Sequence, residues 1–317
     1  MITHLSRSLW IRSAITAIVL AIMLSKISVA EVLDVIARVR PEMVVSVLVL
    51  LAADRAVMIW RWIILLRATG QRIATKSAAW IYLVSSFVGG FLPAGIGADL
   101  ARAYTLSQRT SETSAAAASV AVDRLLGLLS IVLVGIFGIV VGGRWTRGSR
   151  DVWAFALAAA MVAIGMAAVL WSDRWILLVP VRWTQTAIGR RMQRLASALS
   201  EYREHRLALV SVSMLSIGVQ LLRIVQAWLL GIGIGLTVPF AYYLFFMPIG
   251  LVALMLPISI SGFGAPQGII VWMLRPVGVA DADAFALSTL IVLSGIVANL
   301  PGAWLYLRRA PGVAART

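Results

Sequence analysis

Residues 125–143, LLGLLSIVLVGIFGIVVGG, contain no charged side chain. A run of this length matches the roughly 20 residues a helix needs to cross the hydrocarbon of a bilayer. It belongs to one of six apolar stretches, near 10–25, 42–66, 112–142, 152–171, 207–234 and 283–307. Hydrocarbon offers the backbone no hydrogen bonds, so segments this long span it as helices. Composition agrees: 61% of the 317 residues are hydrophobic and mean hydropathy is +0.95, far above the balance of soluble domains. The expected fold is an all-α polytopic membrane protein with about six full spans.

Two further apolar stretches, 77–108 and 239–276, are interrupted. One carries GGFLPAGIGADLAR at 89–102 and the other LPISISGFGAPQ at 256–267, with the two Leu-Pro pairs 164 positions apart. Pro93, Gly95 and Gly97 break the first, and Pro257, Gly262 and Gly264 break the second. Two short arms around such a break predict a hairpin that enters and leaves on one side, its irregular backbone covered by protein or a water-filled cavity. Hairpins of opposite orientation meeting near the midplane are a transporter pattern. The expectation is one domain over 1–317, built from inverted halves of approximately 1–150 and 151–317. In the other reading, Pro93 and Pro257 kink full spans and the glycines serve close helix packing, within a total of six to eight spans.

Arginine placement orients the chain. With Arg7 and Arg12 in the cytoplasm, the segments holding Arg67, Arg72 and Lys76, then Arg109, then Arg174 to Arg206, and finally Arg308 to Arg316 fall on the same side. Asp281 and Asp283 fall outside, and so, against the rule, do Lys26, Arg38, Arg40, Arg144, Arg147 and Arg150. The balance places both termini in the cytoplasm. The stretch SLWIRSAITAIVLAIML followed by Ser28-Val29-Ala30 is also similar to a signal peptide with a small-residue cleavage site.

Charge inside the spans is the next signal. Asp54 and Arg55 lie near the middle of one, Asp123 and Arg124 of another, and Arg223 of a third. An isolated charge there costs roughly 2.5 to 3.5 kcal/mol, so these groups face one another or an aqueous cavity. Neighbouring helical residues point about 100° apart, so Asp123 and Arg124 need partners on other helices. Asp99 and Arg102, three apart, can share a face. A structural ion-pair network and a substrate path remain alternatives for the acids. For Arg55, Arg102, Arg124 and Arg223 the planar guanidinium fork suits phosphate oxygens, and Gln220 and Gln226 lie on the arc of Arg223. The helix N-termini after the two breaks, Gly95 to Ala98 and Ser261 to Gly264, also offer N–H groups to an anion. Asp99 would oppose that at the first break, so the second is the expected phosphate-facing end.

Residues 182–206 read as a cytoplasmic basic amphipathic helix. Ile188, Met192, Leu195, Leu199 and Tyr202 form a stripe, and Arg190, Arg191 and Arg194 fall largely away from it. The stripe suits the headgroup plane or a face packed on another subunit.

Several function classes have no support. Cysteine is absent, and His4 and His205 lie in polar flanks, so no metal site is expected. No nucleophile is paired with a base and no motif cradles a nucleotide, so no catalytic residue or cofactor is assigned. The formal charge of +15 sits mostly between apolar runs, where it meets anionic headgroups rather than nucleic acid.

The ordered set LPAGIGADLARAY, VAVDRLLGLL at 120–129, LPISISGFG and GVADADAFALSTLIVL resembles the membrane domain of lysylphosphatidylglycerol synthases and the flippase-like proteins that share it, over nearly the whole chain. That family's first motif is matched by Leu92, Pro93, Gly97, Asp99, Arg102 and Ala103, with Ala94 departing. Its later motif often ends Gly-x-Arg-Glu, whereas this chain has Gly264, Ala265, Pro266 and Gln267. The resemblance implies a lipid translocase of a bacterial cytoplasmic membrane, without the soluble domain that transfers an amino acid from tRNA to lipid. Anionic lipids are the expected partners, together with a lipid-synthesis enzyme or a second copy of the chain. The rival classes are a membrane-embedded lipid-modifying enzyme and a non-transporting partner of such an enzyme.

Overall fold

The computed structural model describes residues 29–91, 97–110, 113–141, 186–255 and 265–308, together with 160, 164–167, 171–172 and 174. The described regular structure is helical: α1 (Val29–Ala37), α2 (Pro41–Ala68), α3 (Thr75–Phe91), α4 (Gly97–Ser107), α5 (Thr113–Val141), α6 (Ala187–Glu201), α7 (Arg206–Gly233), α8 (Phe240–Met255), α9 (Ala265–Leu274) and α10 (Asp281–Leu307). Short 3₁₀ turns, Tyr202–Glu204 and Arg275–Val277, follow α6 and α9.

Among the described residues, α2, α5, α7 and α10 are the helices long and apolar enough to cross a membrane. Each lies within two residues of the expected bounds, because the apolar run that sets its length is a local property of the chain. The expected spans near 10–25 and 152–171 lie outside the described residues, apart from scattered positions in the second. The long helices leave large apolar side chains outward, among them Val49, Phe137, Met214 and Leu300. The charged groups Asp54, Arg61, Arg102 and Asp123 are buried. That arrangement, apolar outside and ionic inside, suits hydrocarbon as the solvent.

The interrupted stretches form two pairs of arms, α3 with α4 and α8 with α9, whose described helices are 17, 11, 16 and 10 residues long, against the roughly 20 that a full crossing uses. Both pairs run antiparallel. At one end of the first, Arg109 stacks on the Trp80 ring at 4.9 Å, and further along Arg102 stacks on Tyr82 at 5.1 Å. In the second, the Tyr242 hydroxyl donates to the Met273 carbonyl, and Ile270 lies against Gly250. The break residues Pro93, Gly95, Pro257, Gly262 and Gly264 lie outside the described residues; Gly97 opens α4 and is buried.

The packing follows one scheme around both pairs of arms. The outgoing arm α3 packs on α10, while α8 packs on α5; the return arms α4 and α9 pack on the long helices that follow them, α5 and α10. Helices α2 and α7 pack on each other. Gly138 of α5 lies against the Leu244 carbonyl, and Gly302 of α10 against the Leu83 carbonyl, where any Cβ would collide with backbone. These two glycines are 164 positions apart, the same offset as Pro93 and Pro257.

Helix α6 begins at Ala187, with the Thr186 hydroxyl accepting a hydrogen bond from the Gly189 N–H at 3.0 Å. Its stripe divides. Leu195 and Leu199 pack with Tyr202 on Leu65, Val122 and Leu126, whereas Ile188 and Met192 are exposed. The reading of the whole stripe as a headgroup or subunit face is therefore corrected, since its C-terminal half packs on its own chain, with Tyr202 buried and Leu195 and Leu199 partly so. Residues 182–185 of that expectation lie outside the described residues.

Candidate functional site: a buried arginine–aspartate constellation

Helix α2 carries Asp54 and, seven residues or about two turns further, Arg61, so both lie on one face. Arg61 is 3% exposed and reaches α5, where its Nε lies 2.8 Å from Asp123 Oδ1. The N–H direction misses that oxygen, so the contact is ionic rather than a formed hydrogen bond. Arg61 Nη1 donates to Ser216 Oγ of α7 at 2.8 Å. The other Asp123 oxygen is 3.0 Å from Arg102 Nη2 of α4. Arg102 also donates to Asp99 Oδ1 at 3.0 Å, and Asp99 Oδ2 accepts from Arg124 Nη1 at 2.9 Å. Charges thus alternate Arg61, Asp123, Arg102, Asp99, Arg124 across α2, α5, α4 and back to α5.

Arg102 lies 5.1 Å from the centroids of both the Trp62 and Tyr82 rings. These faces attract the cation where water is excluded. The Trp62 Nε1–H donates to Ser119 Oγ at 3.4 Å, which orients the ring. The return arm α4 is therefore held on the long helices by ions and aromatic faces together.

A second cluster lies at Asp54. Its Oδ1 accepts from Arg223 Nε of α7 at 2.9 Å, and Arg55 Nε lies 3.7 Å from its Oδ2. The Arg55 Nε–H is buried without a hydrogen-bond partner. The two clusters meet around Tyr82, which is in electrostatic range of Arg55, Arg61, Arg102 and Asp123 and of Arg223.

Of the residues selected from sequence, Arg55, Asp99, Arg102, Asp123, Arg124 and Arg223 belong to this constellation. Gln220 extends it: its Nε2 donates to Ser130 Oγ of α5 at 3.2 Å, and its Oε1 is buried without a partner. Gln226 is buried on α7, its Nε2 also without a hydrogen-bond partner. Gln267 is fully buried on α9, in the second pair of arms. Arg61, Tyr82 and Ser216 were not among the selected residues. The available signal for Arg61 was its spacing of seven from Asp54 on one helix.

Exposure sorts the groups by task. Asp54 and Asp123 keep 2% of their side chains accessible, whereas Arg55, Arg124 and Arg223 keep 20%, 28% and 23%. Covered Asp54 holds Arg55 and Arg223, whose outer edges remain open, and the partly exposed Asp99 holds Arg124, whereas Asp123 holds the nearly buried Arg61 and Arg102. Guanidinium forks presented in this way bind phosphate or carboxylate oxygens.

No curated protein matches the chain. The sequence model of the lysylphosphatidylglycerol synthase TM region matches residues 9–302, nearly its whole length. That match covers both pairs of arms and every residue of the constellation, and the chain belongs to the family of the lysylphosphatidylglycerol synthase TM region, as an integral membrane protein.

Proposed function

We propose that this protein translocates an anionic phospholipid or lipid-linked intermediate between the leaflets of a bacterial cytoplasmic membrane, acting as a transporter rather than an enzyme. The observation that carries this reading is the constellation itself, with Asp54 and Asp123 covered and three arginines left partly open at helix depth. The polar head would pass along Arg55, Arg223 and Arg124 while the acyl chains stay in hydrocarbon. Ionic groups at this depth mark substrate paths more often than scaffold, because each is costly to insert.

The antiparallel arms and the shared 164-residue offset of the prolines and the close-contact glycines support two inverted halves with re-entrant hairpins, and with them both termini in the cytoplasm. Rocking of one half on the other would then expose the arginines to each leaflet in turn. At the cytoplasmic surface, exposed Ile188 and Met192 would dip among the headgroups, with Arg190, Arg191 and Arg194 meeting anionic lipid.

The test is redistribution of labelled lipids between leaflets of vesicles holding the purified protein. Movement without chemical change is the expected result. Chemical conversion of the lipid would establish the enzymatic class, and neither movement nor conversion would leave a non-transporting partner of a synthesis enzyme.

A further inference from the structure

The turn between α2 and α3 borders a cavity of about 570 Å³, lined by Arg67, Gly70, Gln71, Arg72, Ile73 and Ala74. Its shape follows from how α2 ends. Gly70 is left-handed at φ 69°. Its N–H donates to the Arg67 carbonyl at 3.1 Å, and the Gln71 N–H reaches back to the Leu66 carbonyl at 2.9 Å. This glycine stop takes up the last carbonyls of a helix. The chain reverses through it and sets Arg67, in the last turn of α2, and Arg72, on the way to α3, around one space.

The cavity is cationic without compensation. From residue 55 to residue 98 the sequence has no acidic side chain. Arg67 makes a long hydrogen bond to Thr75 Oγ1 at 3.4 Å and lies 5.8 Å from the Trp60 ring centroid. Among the described residues, neither Arg67 nor Arg72 forms an ion pair, and both are exposed. Glu201 and Glu204, at the end of α6, reach neither of them. The cavity is also separate from the constellation. At 1.5 Å per residue, Arg67 lies about 9 Å beyond Arg61 along α2 and about 18 Å beyond Arg55.

Two guanidinium forks with no carboxylate between them suit phosphate oxygens. The volume falls in the roughly 300–1,000 Å³ of small-molecule sites. A bare phosphate ion, equal to a few waters of about 30 Å³ each, would leave most of it unfilled. Trp60, half exposed and two turns before Arg67, is the kind of amphipathic ring that settles among headgroups. We propose that this cavity is a second lipid site, outside the path through the constellation, which holds the phosphate of an anionic phospholipid between Arg67 and Arg72. A headgroup there lies beside the clasp that holds α6, because Gln71 donates to Thr69 Oγ1 at 3.4 Å and Thr69 lies 3.5 Å from the Tyr202 hydroxyl. A soluble phosphate ester offers the same chemistry, and the test separates the two sources.

The chain has no cysteine, so Ala74→Cys places one environment-sensitive fluorophore on the exposed lining. The labelled full chain is held in phosphatidylcholine nanodiscs and titrated with phosphatidylglycerol, or, in a parallel series, with glycerol phosphate in solution. A saturable response to phosphatidylglycerol is expected, and none to glycerol phosphate, which has no acyl chains to hold it at the surface. Arg67→Gln and Arg72→Gln should each weaken the lipid response at least about tenfold, the loss expected of one charge-assisted hydrogen bond. Both side chains are exposed, so their loss leaves the fold intact. Arg109→Gln removes the same charge from outside the cavity and should shift the response less than about twofold, because surface charges beyond a Debye length are screened. No saturable response to phosphatidylglycerol, or equal shifts in all three variants, would overturn the site and leave diffuse surface attraction. A saturable response to glycerol phosphate would assign the cavity to a soluble ester and overturn the lipid assignment. Failure of leaflet redistribution would count against the path through the constellation and leave this site standing.

Discussion

Arg223 and Arg55 approach the same carboxylate, yet their geometry assigns them different work. Arg223 makes the directed hydrogen bond to Asp54, joining α7 to α2, while Arg55 keeps a longer ionic contact. Arg223→Gln should lower stability in detergent by about 1–3 kcal/mol, the cost of leaving a buried acceptor short of its donor. Adding Asp54→Asn should recover most of that loss, because the pair is then removed rather than broken. Arg55→Gln should leave the melting temperature nearly unchanged. Asp123 is the more demanding position, since Arg61 and Arg102, both nearly fully buried, share it. Asp123→Asn should cost about 3–5 kcal/mol, the range for breaking a buried pair from one side. Melting curves of the purified variants check the order Asp123→Asn, then Arg223→Gln, then Arg55→Gln.

At the scale of elements, close approach of helices is decided by single positions. Gly138 and Gly302 each sit against the backbone of an outgoing hairpin arm. A leucine at either would drive the helices apart. Overpacking costs about 1–3 kcal/mol in a core that can adjust, and more where the obstacle is backbone. Gly138→Leu and Gly302→Leu should therefore both destabilise by at least that range and to similar degrees, which paired thermal melts will show. The attachment of α6 depends on another single group. The Tyr202 hydroxyl donates to the Leu65 carbonyl at 3.4 Å and lies 3.5 Å from Thr69 Oγ1, tying the end of α6 to the end of α2. Burial pushes its pKa up to about 12, with the Thr69 contact partly opposing the rise. In the unfolded chain the phenol ionises near pH 10, at about the ordinary value. A folded-state pKa above the unfolded one means that the contribution is fully present below about pH 10 and is lost as pH climbs toward 12. Tyr202→Phe should thus melt lower than the unaltered chain by a constant margin between pH 6 and 9, and the margin should narrow above pH 10.

For the whole molecule, the decisive question is which side of the membrane each connection occupies. The chain contains no cysteine, so single cysteines report without background. Cysteine at Arg67, Arg109 or Arg190 should react with impermeant reagents from the cytoplasmic side only, and at Asp281 from the outer side only. Labelling of positions 67 and 109 from opposite faces would make 77–108 an odd number of crossings and remove the inverted-repeat reading. Expressed alone in cells that lack aminoacylated lipids, the chain is expected to produce none. Detection of lysyl or alanyl phosphatidylglycerol made by it would reverse the transporter assignment.

What the sequence determined by itself is what depends on short range. Hydropathy over about 20 residues is set within one helix, so the solvent, the helical class and the bounds of α2, α5, α7 and α10 were legible. The Asp99–Arg102 contact was legible too, because a spacing of three puts both groups on one helical face. The charge partners were not, because they are set by how helices pack. Arg61 meets Ser216 across 155 positions, and Arg223 meets Asp54 across 169. Adjacent residues on a helix diverge by about 100°, so Asp123 and Arg124 serve different neighbours and no local pattern names them. The stripe on α6 shows the same limit. Hydrocarbon and a protein core are both apolar, so periodicity marks Ile188 and Leu195 alike; only the tertiary structure leaves the first exposed and packs the second on α5.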